Sequence, residues 1–299
     1  MSIDVLIGKI KQFNNPTVFG LDPTEEHIPE SIWQGGSLED FCRAVLKYNC
    51  LLIDALWDVV PAVKPQVAYY ERLGYQGMKV MKDTMDYAKS KGLYVIADIK
   101  RNDIGATSKA YATAWLGKVE LDGREYEPFG ADGVTLNGYL GIDGINPFLE
   151  ECKQGKTLFV LAKTSNPSSS ELQDKLIDDG RPVYLHMAET ISRWGAGLIG
   201  QNGYSQVGIV AGATYPEQLK VLRENLPNTY FLVPGYGAQG GSAKDLAGAF
   251  DKDGLGAIVN SSRAIMCAWK KTGQDLQTAA RAEAVRMRDE INENIGEVK

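Results

Sequence analysis

The sequence predicts an α/β chain folded as a single closed (β/α)8 TIM barrel, and three observations predict it. Eight short, β-rich apolar runs recur along the chain with helical patterns between them. Several of these runs are almost wholly apolar, as parallel strands buried on both faces must be. No low-complexity linker divides the 299 residues, so residues 1–299 read as one domain, a length that such barrels reach. An open doubly wound sheet is the competing architecture, and it normally carries a Gly-x-Gly-x-x-Gly turn after its first strand. Here the first run leads instead into Gly20-Leu21-Asp22-Pro23.

In chain order, the predicted strands are Thr17–Leu21, Ala62–Lys64, Leu93–Ile99, Gly133–Leu136, Leu158–Ala162, Val207–Val210, Tyr230–Val233 and Ala257–Val259. Between the first two, a helix starts after Ser37 and repeats Leu38, Phe41, Cys42, Val45, Leu46, Leu52, Leu56 and Val59 near helical spacing. Before the fourth strand, the polar stretch Lys118–Gly130 is an excursion. A second long connection, Thr164–Gly180, follows the fifth. Pro216 opens a helix carrying Leu219, Leu222 and Leu226 between the sixth and seventh.

Composition narrows the function classes. At 44% hydrophobic and 23% charged, the chain has the make-up of a soluble globular protein with a sizeable core. A net charge of −6 leaves no basic patch to recruit nucleic acid. The N-terminus has no signal-peptide core, and no apolar run reaches about 18 residues, so a cytoplasmic, non-membrane protein is expected. Cys42, Cys50, Cys152 and Cys267 form no Cys-x-x-Cys pair. Cys42 and Cys50 share an apolar helical pattern, which predicts buried reduced thiols.

In such a barrel, chemistry sits where the strands end. Asp98 and Lys100 lie two apart on the third strand, so their side chains share a face. An ion pair beside Leu93, Val95 and Ile96 costs desolvation, which only more partners and good geometry offset. Lys64 on the neighbouring strand extends the pair to an alternating array Lys64, Asp98, Lys100, Asp103, more charge than a structural salt bridge needs. An ammonium flanked by carboxylates stays protonated and suits a general acid that protonates a developing carbanion. The carboxylates would also repel a carboxylate about to leave as carbon dioxide. Two unit charges at about 4 Å in an effective dielectric of ~20 interact by about 4 kcal/mol. Demanding decarboxylations need up to about 20 kcal/mol, so remote binding energy must contribute.

A remote handle is present. The seventh strand ends in Pro234-Gly235-Tyr236-Gly237-Ala238-Gln239-Gly240-Gly241, and the eighth in Asn260-Ser261-Ser262-Arg263 at a helix start. Loops after strands seven and eight are the usual phosphate site, and the Arg263 fork suits phosphate oxygens. Asp22 either accepts from ribose hydroxyls or starts a turn with Pro23. Ser165 either bonds a base edge or caps a turn before Pro167. His27 and His186 are isolated and read as surface or helix-face residues. No metal-ligand spacing is present.

These residues match a known family. Asp98-Ile99-Lys100-Arg101-Asn102-Asp103-Ile104 resembles the Asp-x-Lys-x-x-Asp-Ile signature of the orotidine 5′-phosphate decarboxylases. The segment from Pro234 to Gly241 resembles their phosphate loop, and Leu161–Ser169 is similar to a longer bacterial subgroup. The resemblance implies conversion of orotidine 5′-phosphate to UMP and CO2, the last step of pyrimidine synthesis, with no cofactor and no metal. It implies Lys100 as proton donor, Asp98 facing the leaving group, Lys64 completing the array and Asp22 on the ribose. It also implies Ser165 on the pyrimidine, Pro234 beside it, and Gln239 and Arg263 on the phosphate, with Gly235 and Ser262 adjoining. Asp103, Ile104 and Thr107 match positions that reach into a neighbouring subunit, implying a homodimer with shared sites. The sequence departs from the shorter members at Ser262, where they carry glycine, and in the Lys118–Gly130 excursion.

Two other functions compete. A magnesium-dependent sugar-phosphate decarboxylase or synthase of the same superfamily would need an acidic ligand where Lys64 stands, and a lysine there repels Mg²⁺. A non-catalytic phosphate-binding barrel would not need Lys100.

Overall fold

Apolar runs bounded by glycine, proline and polar residues become the eight staves of a closed parallel barrel in the computed structural model, which describes residues 2–236, 241–296 and 298. The strands are Thr17–Leu21, Ala62–Pro65, Tyr94–Arg101, Gly133–Leu136, Thr157–Lys163, Val207–Ala211, Phe231–Val233 and Ala257–Ser261. Each pairs with the next in sequence, and the last pairs with the first through Thr17 opposite Val259. All eight predicted strands are present, with ends shifted by at most two residues.

The helices follow the predicted signals, except that the one after Ser37 ends at Leu56, so Val59 is buried in the turn beyond it. Ser37 caps the helix Leu38–Leu56 by a reciprocal exchange with Asp40. Pro216 is the first residue of the helix Pro216–Asn225, where its missing N–H costs nothing. The excursion is a β-hairpin, Val119–Leu121 against Arg124–Tyr126. Its two turn residues, Asp122 and Gly123, both have positive φ, as a tight primed turn requires. Trp115 stacks on Phe129 at 4.1 Å between centroids and pins its base. The connection after the fifth strand contains the short 3-10 helix Pro167–Glu171.

Two hydrophobic cores result from the two-residue alternation of the strands. Outward-facing residues such as Phe19, Val63, Val95 and Val160 pack under the surrounding helices. Inward-facing Val18, Ala62, Ile96, Phe159, Leu232 and Ile258 fill the barrel, where Ile3, Leu6, Ile7 and Ile10 of the N-terminal helix Ser2–Phe13 join them. Those inner residues are the floor on which the polar layer rests. Among the described residues, no helix is long and apolar enough to cross a membrane. All four cysteines are free. Cys42 and Cys152 are buried, whereas Cys50 is only half-buried, a correction to the expectation for that residue.

Candidate active site

One step of strand alternation above the inner core, the barrel turns polar. Above Ala62 comes Lys64, above Ile96 comes Asp98, above Leu232 comes Pro234 and above Ile258 comes Asn260. Asp22 stands one step above Gly20. The mouth is thus built from the same inward parity that fills the barrel below it.

At its centre Asp98 is held from three sides. Lys64 Nζ donates to Oδ2 at 2.7 Å, Lys100 Nζ to Oδ1 at 2.5 Å, and Thr135 Oγ1 to Oδ1 at 2.7 Å. Thr135 Oγ1 also accepts from the backbone N–H of Lys100 at 3.1 Å, locking the donor's main chain to the fourth strand. Burial alone would push the Asp98 carboxyl up, but Lys64 and then Lys100 outweigh it and hold the group well below the usual carboxylate range. Burial likewise works against the charged form of Lys64, and Asp98 and Asp22 override it, so its pKa stands above the ordinary lysine value. Lys64 and Asp98 are buried, whereas the Lys100 side chain is 43% exposed at the mouth.

Lys100 itself has φ +46°, in the left-handed region that a lysine enters at a cost of about 1 kcal/mol or more. The register of the third strand against the fourth shifts between Ala97 and Arg101, and the twisted backbone there brings the ammonium back over Asp98.

Two adjoining cavities, about 620 and 640 Å³, open above this layer. The first holds Lys64, Asp98, Lys100, Thr135 and Ser165 over an apolar floor of Leu161, Val210 and Leu232. The second is lined by Gly235, Ser262 and Arg263 with His27 and Arg72 opposite. Asp22, Pro234, Tyr69 and Asn260 belong to both. Burial raises the Asp22 carboxyl above its ordinary value, with Lys64 and a hydrogen bond from Ser262 pulling back.

The structure therefore gathers Lys64, Asp98, Lys100, Asp22, Ser165, Pro234, Gly235, Ser262 and Arg263 around one mouth. It does not bring Asp103 into the array within the chain. Asp103 Oδ1 accepts from the Ile104 N–H at 2.8 Å, and Ile104 and Thr107 face outward from the start of the helix Gly105–Trp115. The expected four-member array is thus three lysine and aspartate residues plus Thr135, because the chain turns away from the barrel axis after Arg101. Gln239 lies outside the described residues. Arg263 begins a helix of only four residues, Arg263–Met266, so its guanidinium rather than a helix dipole is the positive element there.

Sequence reasoning missed Thr135, Tyr69 and Arg72, named Asn260 only as a strand-closing residue, and read His27 as a surface or helix-face residue. His27 is half-buried on the cavity wall, its Nδ1 3.2 Å from the Asp22 carbonyl oxygen, and burial lowers its pKa. His186 is exposed on the helix Val183–Trp194, as expected. Thr135 and Asn260 could have been found by extending the inward parity of Gly133 and Ile258. Among the described residues, no three His, Cys, Asp or Glu side chains gather as a metal-ligand group.

Comparison with known proteins agrees with this geometry. Residues 17–277 match the model of the orotidine 5′-phosphate decarboxylase / HUMPS family. The chain is 42% identical over 297 residues to a protein of Rhodopirellula baltica named orotidine 5′-phosphate decarboxylase, covering 96% of this chain and 97% of the other. It is 40% identical, with 97% of each chain covered, to the protein of that name from Caldicellulosiruptor bescii. A crystal structure from Toxoplasma gondii, described as a putative orotidine-monophosphate-decarboxylase, superposes with a TM-score of 0.81 at 28% identity, covering 98% of this chain and 97% of that one.

Proposed function

The chain belongs to the orotidine 5′-phosphate decarboxylase / HUMPS family, and we infer that it is an orotidine 5′-phosphate decarboxylase, a carboxy-lyase that forms UMP and CO2 in pyrimidine biosynthesis. The observation that carries the choice within the family is Lys64. Its ammonium, 2.7 Å from Asp98, occupies the place where a metal-dependent relative would need an anionic ligand.

The reaction runs as follows. Asp98, kept ionised by its two lysines, faces the departing carboxylate and disfavours the bound ground state. The bond from the pyrimidine ring to the carboxyl carbon breaks, CO2 leaves, and the electron pair stays on the ring carbon. Lys100 stabilises that carbanion and delivers a proton from Nζ to it. Its exposed side chain regains a proton from solvent. Ser165 bonds the pyrimidine, Pro234 packs beside it, and Asp22 takes a ribose hydroxyl. Arg263 grips the phosphate with Gly235 and Ser262, and with Gln239, and that grip supplies binding energy remote from the reacting carbon. No metal or organic cofactor takes part.

The whole chain 1–299 acts as one barrel unit and pairs as a homodimer, with Asp103, Ile104 and Thr107 serving the partner's site. In support, Ile104, Tyr139, Leu140 and Ile142 leave a crest of exposed apolar side chains beside the third- and fourth-strand ends. The cytoplasm is the compartment that this reading and the four free thiols fit. The ligands are orotidine 5′-phosphate and UMP, without nucleic acid or membrane.

An ultraviolet assay for loss of orotidine 5′-phosphate, with and without chelator, tests the assignment. Turnover undiminished by chelator is expected. No turnover overturns the assignment, and turnover abolished by chelator favours the metal-dependent alternative. Lys100→Ala is expected to keep ligand binding while losing about a thousandfold or more in kcat.

A further inference from the structure

Lys100 stands at φ +46° with its side chain 43% exposed, so neither a relaxed backbone nor burial keeps its ammonium over Asp98. A residue other than glycine holds such a conformation only where its surroundings enforce it.

The enforcing contacts converge on one peptide unit, the one that joins Ile99 to Lys100. Its N–H donates to Thr135 Oγ1 at 3.1 Å, and its carbonyl oxygen accepts from Arg101 Nη1 at 3.2 Å. The φ of Lys100 is the twist between that peptide plane and the rest of the residue, so gripping the plane by both its groups fixes where the twist starts. Beyond Lys100, the Arg101 carbonyl accepts from the Asn137 N–H at 3.0 Å.

The Arg101 head is anchored in turn. Its Nη2 donates to Glu71, the last residue of the short helix Ala68–Glu71, and the guanidinium lies 5.7 Å from the centroid of the Tyr111 ring. That short helix follows the second strand, whose Lys64 grips Asp98 from the other side, and the Val67 N–H just before it donates to the Asp98 carbonyl at 3.1 Å. Arg101 therefore spans from the peptide of one lysine to the element that follows the other. With Glu71 43% exposed, the ion pair adds little to stability, and what it fixes is orientation.

We propose that Arg101 is a positioning residue: anchored on Glu71, its guanidinium braces the peptide preceding Lys100 and keeps the Lys100 ammonium aimed at the reacting carbon. The inference rests on the proton-donor role of Lys100 proposed above. Arg101 lines neither mouth cavity, so it acts through Lys100 and not on the substrate. Arginine is needed rather than any cation, because one planar head must donate in two directions at once.

The test compares kcat and KM on orotidine 5′-phosphate for the wild type, Arg101→Ala, Arg101→Lys, Glu71→Gln and the double variant Arg101→Ala/Glu71→Gln. Arg101→Ala is expected to lose roughly tenfold in kcat, the size of one hydrogen bond, with KM within about twofold of the wild type. Arg101→Lys keeps the charge without the fork and should stay within about threefold of Arg101→Ala. Glu71→Gln should lose about threefold, and the double variant should be no worse than Arg101→Ala, because the two side chains act as one brace. Should Arg101→Ala fail to fold, Arg101→Lys and Glu71→Gln carry the same comparison. An unchanged kcat, a loss confined to KM, or full activity in Arg101→Lys overturns this inference alone. A wild type inactive on orotidine 5′-phosphate overturns the proposed function, and Lys100→Ala with undiminished turnover overturns the donor role; either takes this inference with it.

Discussion

Around Asp98, each neighbour has a separate physical task. Lys64 neutralises a buried carboxylate, Lys100 neutralises it and reaches the mouth, and Thr135 ties the carboxylate to the Lys100 backbone. Replacing Thr135 by valine keeps the shape but removes a donor from Asp98 and an acceptor from Lys100. We expect kcat to fall by about tenfold, with a smaller change in KM. A loss confined to KM would place Thr135 in binding only. Asp22 makes a prediction of opposite sign for stability. Burial raises its folded-state pKa above the ordinary 3.8. Its ionised form therefore costs stability at pH above that raised value, and the cost fades as the pH falls through it. Asp22→Asn should raise Tm at pH 7 by roughly 2 °C while lowering kcat/KM. A lowered Tm would contradict the burial argument. Asp98 behaves the other way: its depressed pKa gives stability that is complete above the ordinary 3.8 and survives until the pH falls well below it.

At the scale of elements, the alternation rule succeeds until a strand is irregular. Leu161 lines the base-side cavity, so Lys163 two residues later should also point inward. The register against the sixth strand shifts between Leu161 and Lys163, and the lysine is re-aimed away from the mouth. There it is 1% exposed, with its ammonium 2.7 Å from Asp174, 3.1 Å from Ser169 Oγ and 4.5 Å from the centroid of the Tyr215 ring. These contacts anchor the long connection that carries Ser165. Asp174→Asn would leave a buried ammonium short of its counter-charge. We expect a loss of about 2 kcal/mol in a denaturant melt, below the 3–5 kcal/mol of fully buried pairs because Asp174 is a third exposed. A rise in KM for the substrate should accompany it. Unchanged stability would show that the ring and hydroxyl contacts suffice. The helix starts marked by Ser37 and Pro216 were legible because they depend on neighbours in sequence. The Asp122-Gly123 turn carried an equally local signal that marks the excursion as a hairpin.

For the molecule as a whole, barrel closure brings Gly20, Asn260 and Ser262 together from strands that are first and last in the chain. Asp103 is the residue that the closed barrel does not gather. If it completes a partner's site, mixing Lys100→Ala chains with Asp103→Asn chains should restore activity. Half of the dimers are mixed and each has one intact site, so recovery should approach about a quarter of the wild-type rate. No recovery after exchange of subunits would place Asp103 in its own chain's chemistry.

The sequence by itself determined the eight-strand order, most of the strand limits, the Asp98–Lys100 pair and the residues that close the strands, because these depend on local hydrophobic pattern and on the two-residue parity of a strand. Only the tertiary structure decided that Thr135 joins the lysines on the Asp98 carboxylate, that Lys163 turns away, and that Asp22 and Asn260 share the waist between the two cavities. Those outcomes depend on register shifts and ring closure, where a one-residue slip reverses the direction of a side chain and no nearby residue type announces it.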